Sequence, residues 1–157
     1  MKNVLISNNE KETKALGARL AKLLSPGDNI ALTGNLGSGK TTFTKGLARG
    51  LNIEKPEYVN SPSFVLMKEY KGRASLYHFD LYRLDSLEDI EYIGMQEYLN
   101  GDGIVVIEWA DRMKILLPSE YLEISIDITA QEKRKFTFIA HGKRYNNIIS
   151  RYIKPQV

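Results

Sequence analysis

Cysteine is absent from the 157 residues. That excludes disulfide scaffolds and zinc sites built on thiolates. It suits a reducing cytosol, and a cytoplasmic protein is expected. Long apolar runs are missing too. No stretch approaches the roughly 20 apolar residues that span a bilayer, so no membrane role is expected. The opening MKNVLISNNEKE carries too short an apolar run for a signal peptide. Charge of one sign is scarce, with a net formal charge of only +3. Such an excess permits nucleic-acid contact without arguing for it. Repeats and low-complexity tracts are also lacking.

The length points to a single domain over 1–157, large enough for a core without covalent staples. Hydrophobic content of 43% and charged content of 26% are those of an ordinary globular chain. Asn3–Ser7 reads as a short strand. Asn8 or Asn9 can cap a helix over Glu10–Leu24, where Leu16, Leu20, Leu23 and Leu24 recur at helical spacing. Ser25-Pro26-Gly27 stops it. Asn29–Gly34 is an apolar strand, and Thr41–Leu51 a helix. Residues 52–63, with Pro56 and Pro62, read as a loop. FVLMKEY and ASLYHFD flank Lys71-Gly72-Arg73 as a hairpin. Ser86–Leu99 has helical spacing. GIVVIEW is a strand apolar on both faces. Asp111–Leu117 reads as a short helix. YLEISIDI and FTFIA alternate as antiparallel strands around Gln131–Lys135, and a tail helix follows. The sum is an α/β protein with a mixed parallel and antiparallel central sheet flanked by helices.

Between the second strand and second helix lies GNLGSGKTT, Gly34 to Thr42. Gly34-x-x-x-x-Gly39-Lys40-Thr41 fits the Walker A pattern of a P-loop NTPase. Its glycines let the backbone N–H groups of Leu36, Gly37, Ser38 and Gly39 turn inward around phosphate oxygens. The helix N-terminus faces the same anion. Lys40 reaches β- and γ-phosphates, the Thr41 hydroxyl ligates Mg²⁺, and Thr42 bonds a phosphate further back. A second metal anchor is needed at the end of a buried strand. Glu108 ends IVVIE and is the better match; Asp80 ends SLYHFD. His78 can be a base or a ligand, but a packed, hydrogen-bonded histidine is the plainer reading. Trp109 can stack on a base or simply pack. Arg83 and Arg112 read as charge-neutralising fingers or as surface salt links. Lys133, Arg134 and Lys135 can approach phosphates or be solvated. The acids Glu88, Asp89, Glu91 and Glu97 read as a solvated face.

Three blocks go further than Walker A alone: GNLGSGKTTFTKGLARGL, NSPSFVLMKEY followed by YHFDLYRL, and VIEWADR. Together they resemble the TsaE family, formerly YjeE, over nearly the whole chain. That resemblance implies an ATPase of the pathway that makes N6-threonylcarbamoyladenosine at position 37 of tRNA. It implies ATP and Mg²⁺ as cofactors and the TsaB–TsaD complex as partner, with TsaD transferring the group and tRNA involved indirectly. By resemblance, Lys40 and Thr41 hold phosphate and metal, Glu108 is the metal acid, and Asp80 lies in a motif needed for hydrolysis. Glu10 and Thr13 fall in the segment near the nucleotide base, and Ser61-Pro62-Ser63 in a switch-like loop. The family's loop usually reads Thr-Ser-Pro-Thr; here Asn60 and Ser63 stand at the threonine positions.

A small-molecule kinase using the same loop is the alternative. It would want an arginine-rich lid, whereas the eight arginines are scattered singly and no lid-like insertion is present. A GTPase would want Asn-Lys-x-Asp, which does not occur. A purely structural role leaves the loop and both acids unexplained.

Overall fold

The computed structural model describes residues 2–62, 66–84, 86–92 and 94–154. Seven strands join in one sheet: β1 (Lys2–Ser7), β2 (Asn29–Thr33), β3 (Met67–Lys71), β4 (Ser75–Asp80), β5 (Ile104–Glu108), β6 (Tyr121–Ile128) and β7 (Arg134–His141). Their spatial order is β1-β7-β6-β2-β5-β4-β3. The inner strands β6, β2, β5 and β4 run parallel, and antiparallel pairs close both rims. Apolar runs explain the centre: β2 and β5 lie covered on both faces, so Ile30, Leu32, Val105 and Ile107 have no exposed side.

Five α-helical segments follow the strands: α1 (Glu10–Ala21), α2 (Lys40–Gly50), α3 (Leu87–Tyr92), α4 (Met95–Tyr98) and α5 (Lys143–Ile153). One face of the sheet packs Phe136, Phe138 and Ile124 against Leu20, Phe43, Leu47 and Tyr152 of α1, α2 and α5. The other face packs Phe79, Val105 and Ile107 against Met95 and Leu99. No helix among the described residues is long and apolar enough to cross a membrane.

Several expected boundaries move. Helix α1 stops at Ala21 rather than Leu24, because the N–H groups of Leu23 and Leu24 fold back onto Leu20 and Ala21 carbonyls at 2.9 and 3.1 Å. The helix expected over Ser86–Leu99 is two short pieces. Gly94 sits between them at φ +71°, a left-handed conformation that ends one helix and starts another. The expected Asp111–Leu117 helix is a 3₁₀ segment over Ala110–Leu116. A 3₁₀ turn, Pro56–Tyr58, interrupts the expected loop of residues 52–63.

Parallel pairing has one consequence for function. Register sets Leu32 and Asp80 both opposite Glu108. The carboxyl ends of β2, β4 and β5 therefore finish side by side, where ligands bind in open α/β sheets.

Candidate functional site

The loop after β2 wraps from Gly34 to Gly39. Gly34 permits the wrap: a Cβ there would lie 2.6 Å from both the Ile126 carbonyl and Ser38 Oγ. Ser38 is buried, and its N–H donates to the Asn35 carbonyl at 3.0 Å. Helix α2 starts at Lys40, so its free N–H groups open toward the space inside the loop.

Lys40 folds over this loop. Its Nζ donates to the carbonyls of Gly34 (2.7 Å) and Asn35 (3.1 Å) and sits 3.9 Å above the centroid of Trp109. Burial pushes the amine below its usual pKa, partly offset by the carboxylates of Glu108, Asp80 and Asp111.

Below it, the Thr41 hydroxyl donates to Glu108 Oε1 at 2.9 Å. Glu108 Oε2 lies 3.0 Å from His78 Nε2. Asp80 accepts from the Tyr82 N–H at 2.9 Å and, on its other oxygen, from the Ser61 hydroxyl. Each acid is almost wholly buried.

Two cavities meet across Gly37, Gly39 and Thr42. The larger, about 420 Å³, is lined by Lys40, Thr41, Asp80, Glu108 and Trp109, with Leu36 at its rim. The smaller, about 190 Å³, is lined by Glu10, Thr13, Gln131 and Arg134 among others. The structure thus gathers Glu10, Thr13, Leu36, Gly37, Gly39, Lys40, Thr41, Thr42, Asp80 and Glu108 around a hollow made of two adjoining cavities. Ser38 lies behind it. Lys133 does not line either cavity; its side chain is exposed in the β6–β7 turn.

Arg134 takes the place expected of Lys133. Its guanidinium donates to the Ser38 carbonyl at 3.0 Å and the Gly37 carbonyl at 3.3 Å, tying the turn to the loop. Nothing in the local sequence separates it from its basic neighbours; only strand β7 beginning at Arg134 turns it inward. His78 is the packed, hydrogen-bonded histidine expected, though the sequence does not name Glu108 as its partner. The signal for that pairing was register, since a side chain two residues before Asp80 shares that residue's face of the strand. Trp109 packs against Tyr82 with the rings tilted by 39° and centroids 4.7 Å apart, and Arg112 lies 5.7 Å over the Tyr82 ring. Arg83 lines the larger cavity. Asn60 accepts from Lys68 Nζ at 2.6 Å, and Ser63 lies outside the described residues.

A family model described as "Threonylcarbamoyl adenosine biosynthesis protein TsaE" matches residues 7–136, most of the chain and every residue that lines the two cavities. The chain belongs to the TsaE family. A TsaE of Bacillus subtilis is 45% identical over 138 residues, covering 87% of this chain and 85% of its own. A TsaE of Treponema pallidum is 43% identical over 132 residues, covering 84% and 96% respectively. Both carry the name tRNA threonylcarbamoyladenosine biosynthesis protein. The crystal structure of Bacillus subtilis YdiB superposes with a TM-score of 0.82 at 38% identity, covering 97% of this chain and 94% of that one. TsaE proteins take part in threonylcarbamoyladenosine biosynthesis, and the fold seen here is theirs.

Proposed function

We propose that this TsaE chain binds and hydrolyses Mg·ATP and serves the TsaB–TsaD complex during threonylcarbamoylation of tRNA. One observation carries the proposal: the Thr41 hydroxyl and the Glu108 carboxylate sit 2.9 Å apart at the mouth of a glycine loop that opens onto the larger cavity.

These oxygens suit a hard divalent cation. Among the described residues no cluster of three or more His, Cys, Asp or Glu side chains forms a metal cage. Mg²⁺ fits such a site because it keeps several waters and takes few protein oxygens, the rest coming from phosphate. Thr41 and Glu108 would hold it. Bound Mg²⁺ supplies charge neutralisation across the β- and γ-phosphates.

The chain's own groups supply the rest. Loop N–H groups and the α2 N-terminus bind phosphate oxygens. Lys40 exchanges its bonds to the Gly34 and Asn35 carbonyls for phosphate oxygens, where a positive charge is worth more. Asp80, joined to Ser61 and to the Tyr82 backbone, orders the segment that faces the reacting end. Glu10 and Thr13 border the smaller hollow, on the far side of Thr42, where the nucleoside lies in this reading. The larger cavity is open to solvent, and water-exclusion is completed by docking on TsaB–TsaD.

Calorimetry with ATP, with and without Mg²⁺, tests binding. Lys40→Ala is expected to weaken Mg·ATP binding about 10–100-fold, the worth of one charge-assisted contact. Phosphate release is expected to be slow alone and altered by TsaB–TsaD. Unchanged affinity in the variant, or fast release indifferent to the partners, would overturn the proposal. Transfer of phosphate to a small alcohol would favour the kinase alternative.

A further inference from the structure

His78 is a polar ring in an apolar strand. Its neighbours on β4, Leu76, Tyr77 and Phe79, are buried hydrophobic residues. The imidazole has 0% exposure, and the Glu108 side chain it touches has 2%. Leucine would fill much the same space with no polar group to desolvate, so the ring needs a reason.

We infer that His78 is a positioning residue that locks the plane of the Glu108 carboxylate. This rests on the Mg·ATP reading of Thr41 and Glu108 given above. A glutamate's last torsion is broad, so one hydrogen bond leaves its carboxylate free to swing. Thr41 fixes Oε1 from the cavity side at 2.9 Å, and His78 fixes Oε2 from the core side at 3.0 Å. The ring is wholly buried, which restrains it from following a swing. Ordering of the carboxylate is then met during folding and not when the metal arrives.

Bonding at the other ring nitrogen assigns the proton. Nδ1 is buried and has no hydrogen-bond partner among the described residues. With the proton on Nε2, the ring donates to Oε2 and leaves a bare acceptor at Nδ1. The reverse arrangement would strand a buried N–H and set a lone pair against the carboxylate. His78 thus acts through Glu108 and touches neither nucleotide nor metal.

The test uses two variants and one spectrum on the full chain. His78→Leu keeps the volume and removes the donor. His78→Gln keeps an N–H donor at about the reach of Nε2. Calorimetry measures ATP binding without metal, then Mg²⁺ binding to the ATP-loaded protein. His78→Leu is expected to weaken Mg²⁺ binding about 10–100-fold while metal-free ATP binding stays within about 2-fold. His78→Gln is expected to recover most of the loss. A role confined to packing would instead spare Mg²⁺ binding in His78→Leu, or would weaken both ligands alike; either result overturns the inference. If wild-type binding ignores Mg²⁺, the reading of Thr41 and Glu108 fails first and takes the inference with it. Mg²⁺ dependence kept intact in His78→Leu sinks the inference alone. Nitrogen-15 spectra of the wild-type imidazole need no variant to fold. They are expected to show the proton on Nε2, and a proton on Nδ1 alone would refute the assignment.

Discussion

Asp80 and Glu108 face each other across the β4–β5 register, yet their partners divide them. Glu108 is tied to Thr41 and His78, groups of the phosphate-loop helix and the sheet core. Asp80 is tied to Ser61 and Tyr82, groups of the surrounding segments. Glu108→Gln is therefore expected to weaken Mg²⁺-dependent binding by about 10-fold or more, through loss of a ligand charge. Asp80→Asn is expected to leave Mg·ATP binding within a few-fold and to slow hydrolysis about 10²-fold. Binding calorimetry beside phosphate release reads both, and equal losses of binding would abolish the division. The two acids were legible as strand-end residues after apolar runs. The family resemblance also set them apart, Glu108 as the metal acid and Asp80 in a motif for hydrolysis; the partners that divide them were not legible, because register and neighbouring segments bring those side chains together. Lys40 was legible as the lysine of the glycine loop, but not its place over Trp109. That contact depends on Trp109 adopting φ +58°, which aims the indole back at the loop.

Elements were legible where local chemistry and packing agree. Asn9 is an N-cap by composition and by geometry: its side chain accepts from the Glu12 N–H at 2.8 Å. Asn9→Ala is expected to cost about 1 kcal/mol in a urea or thermal melt, and a neutral result would remove the cap from the account of α1. The β3–β4 hairpin and the antiparallel β6–β7 pair followed from alternation and turn residues, and they form. The run from 86 to 99 misled because helical periodicity does not show where Gly94 turns left-handed. Nor does periodicity show how close two helices lie. Helix α1 crosses α2 so tightly that a Cβ at Gly46 would stand 2.3 Å from the Lys14 carbonyl. Backbone cannot yield there as a side-chain tip would. Gly46→Ala is expected to destabilise by about 1–3 kcal/mol and, because α2 begins at Lys40, to weaken Mg·ATP binding as well. A stable variant with normal binding would show that α2 can shift without disturbing the loop.

Across the whole molecule, the hollow lies at the carboxyl end of the parallel strands, while α5 braces the opposite side of the same scaffold. The Tyr145 hydroxyl accepts from the Asn29 N–H at the start of β2 (2.8 Å), and Arg144 is paired with Asp28 just before it. The Tyr152 hydroxyl donates to the Leu16 carbonyl of α1 at 2.9 Å, with the Arg19 guanidinium 4.5 Å over its ring. This anchoring was not legible, since the tail carries no motif and its partners lie more than a hundred residues away. Burial pushes the pKa of both phenols up to about 12, outweighing the opposing pull of the Asn29 N–H and Arg144 on Tyr145 and of Arg19 on Tyr152. The sign follows from proton counts. Below about pH 10 both states hold the protons, and the phenols contribute no pH dependence. Between about 10 and 12 the unfolded chain releases them first, so the unfolded state gains and folding stability falls as pH rises. Urea midpoints are expected to drop over that window beyond what other titrating groups cause. Tyr152→Phe removes one of these phenols while keeping its ring in the core. It is expected to start less stable, by about 1 kcal/mol for the lost hydrogen bond, and to fall less steeply between pH 10 and 12. Parallel slopes for wild type and variant would show that Tyr152 does not couple alkaline titration to the packing of α5 on α1.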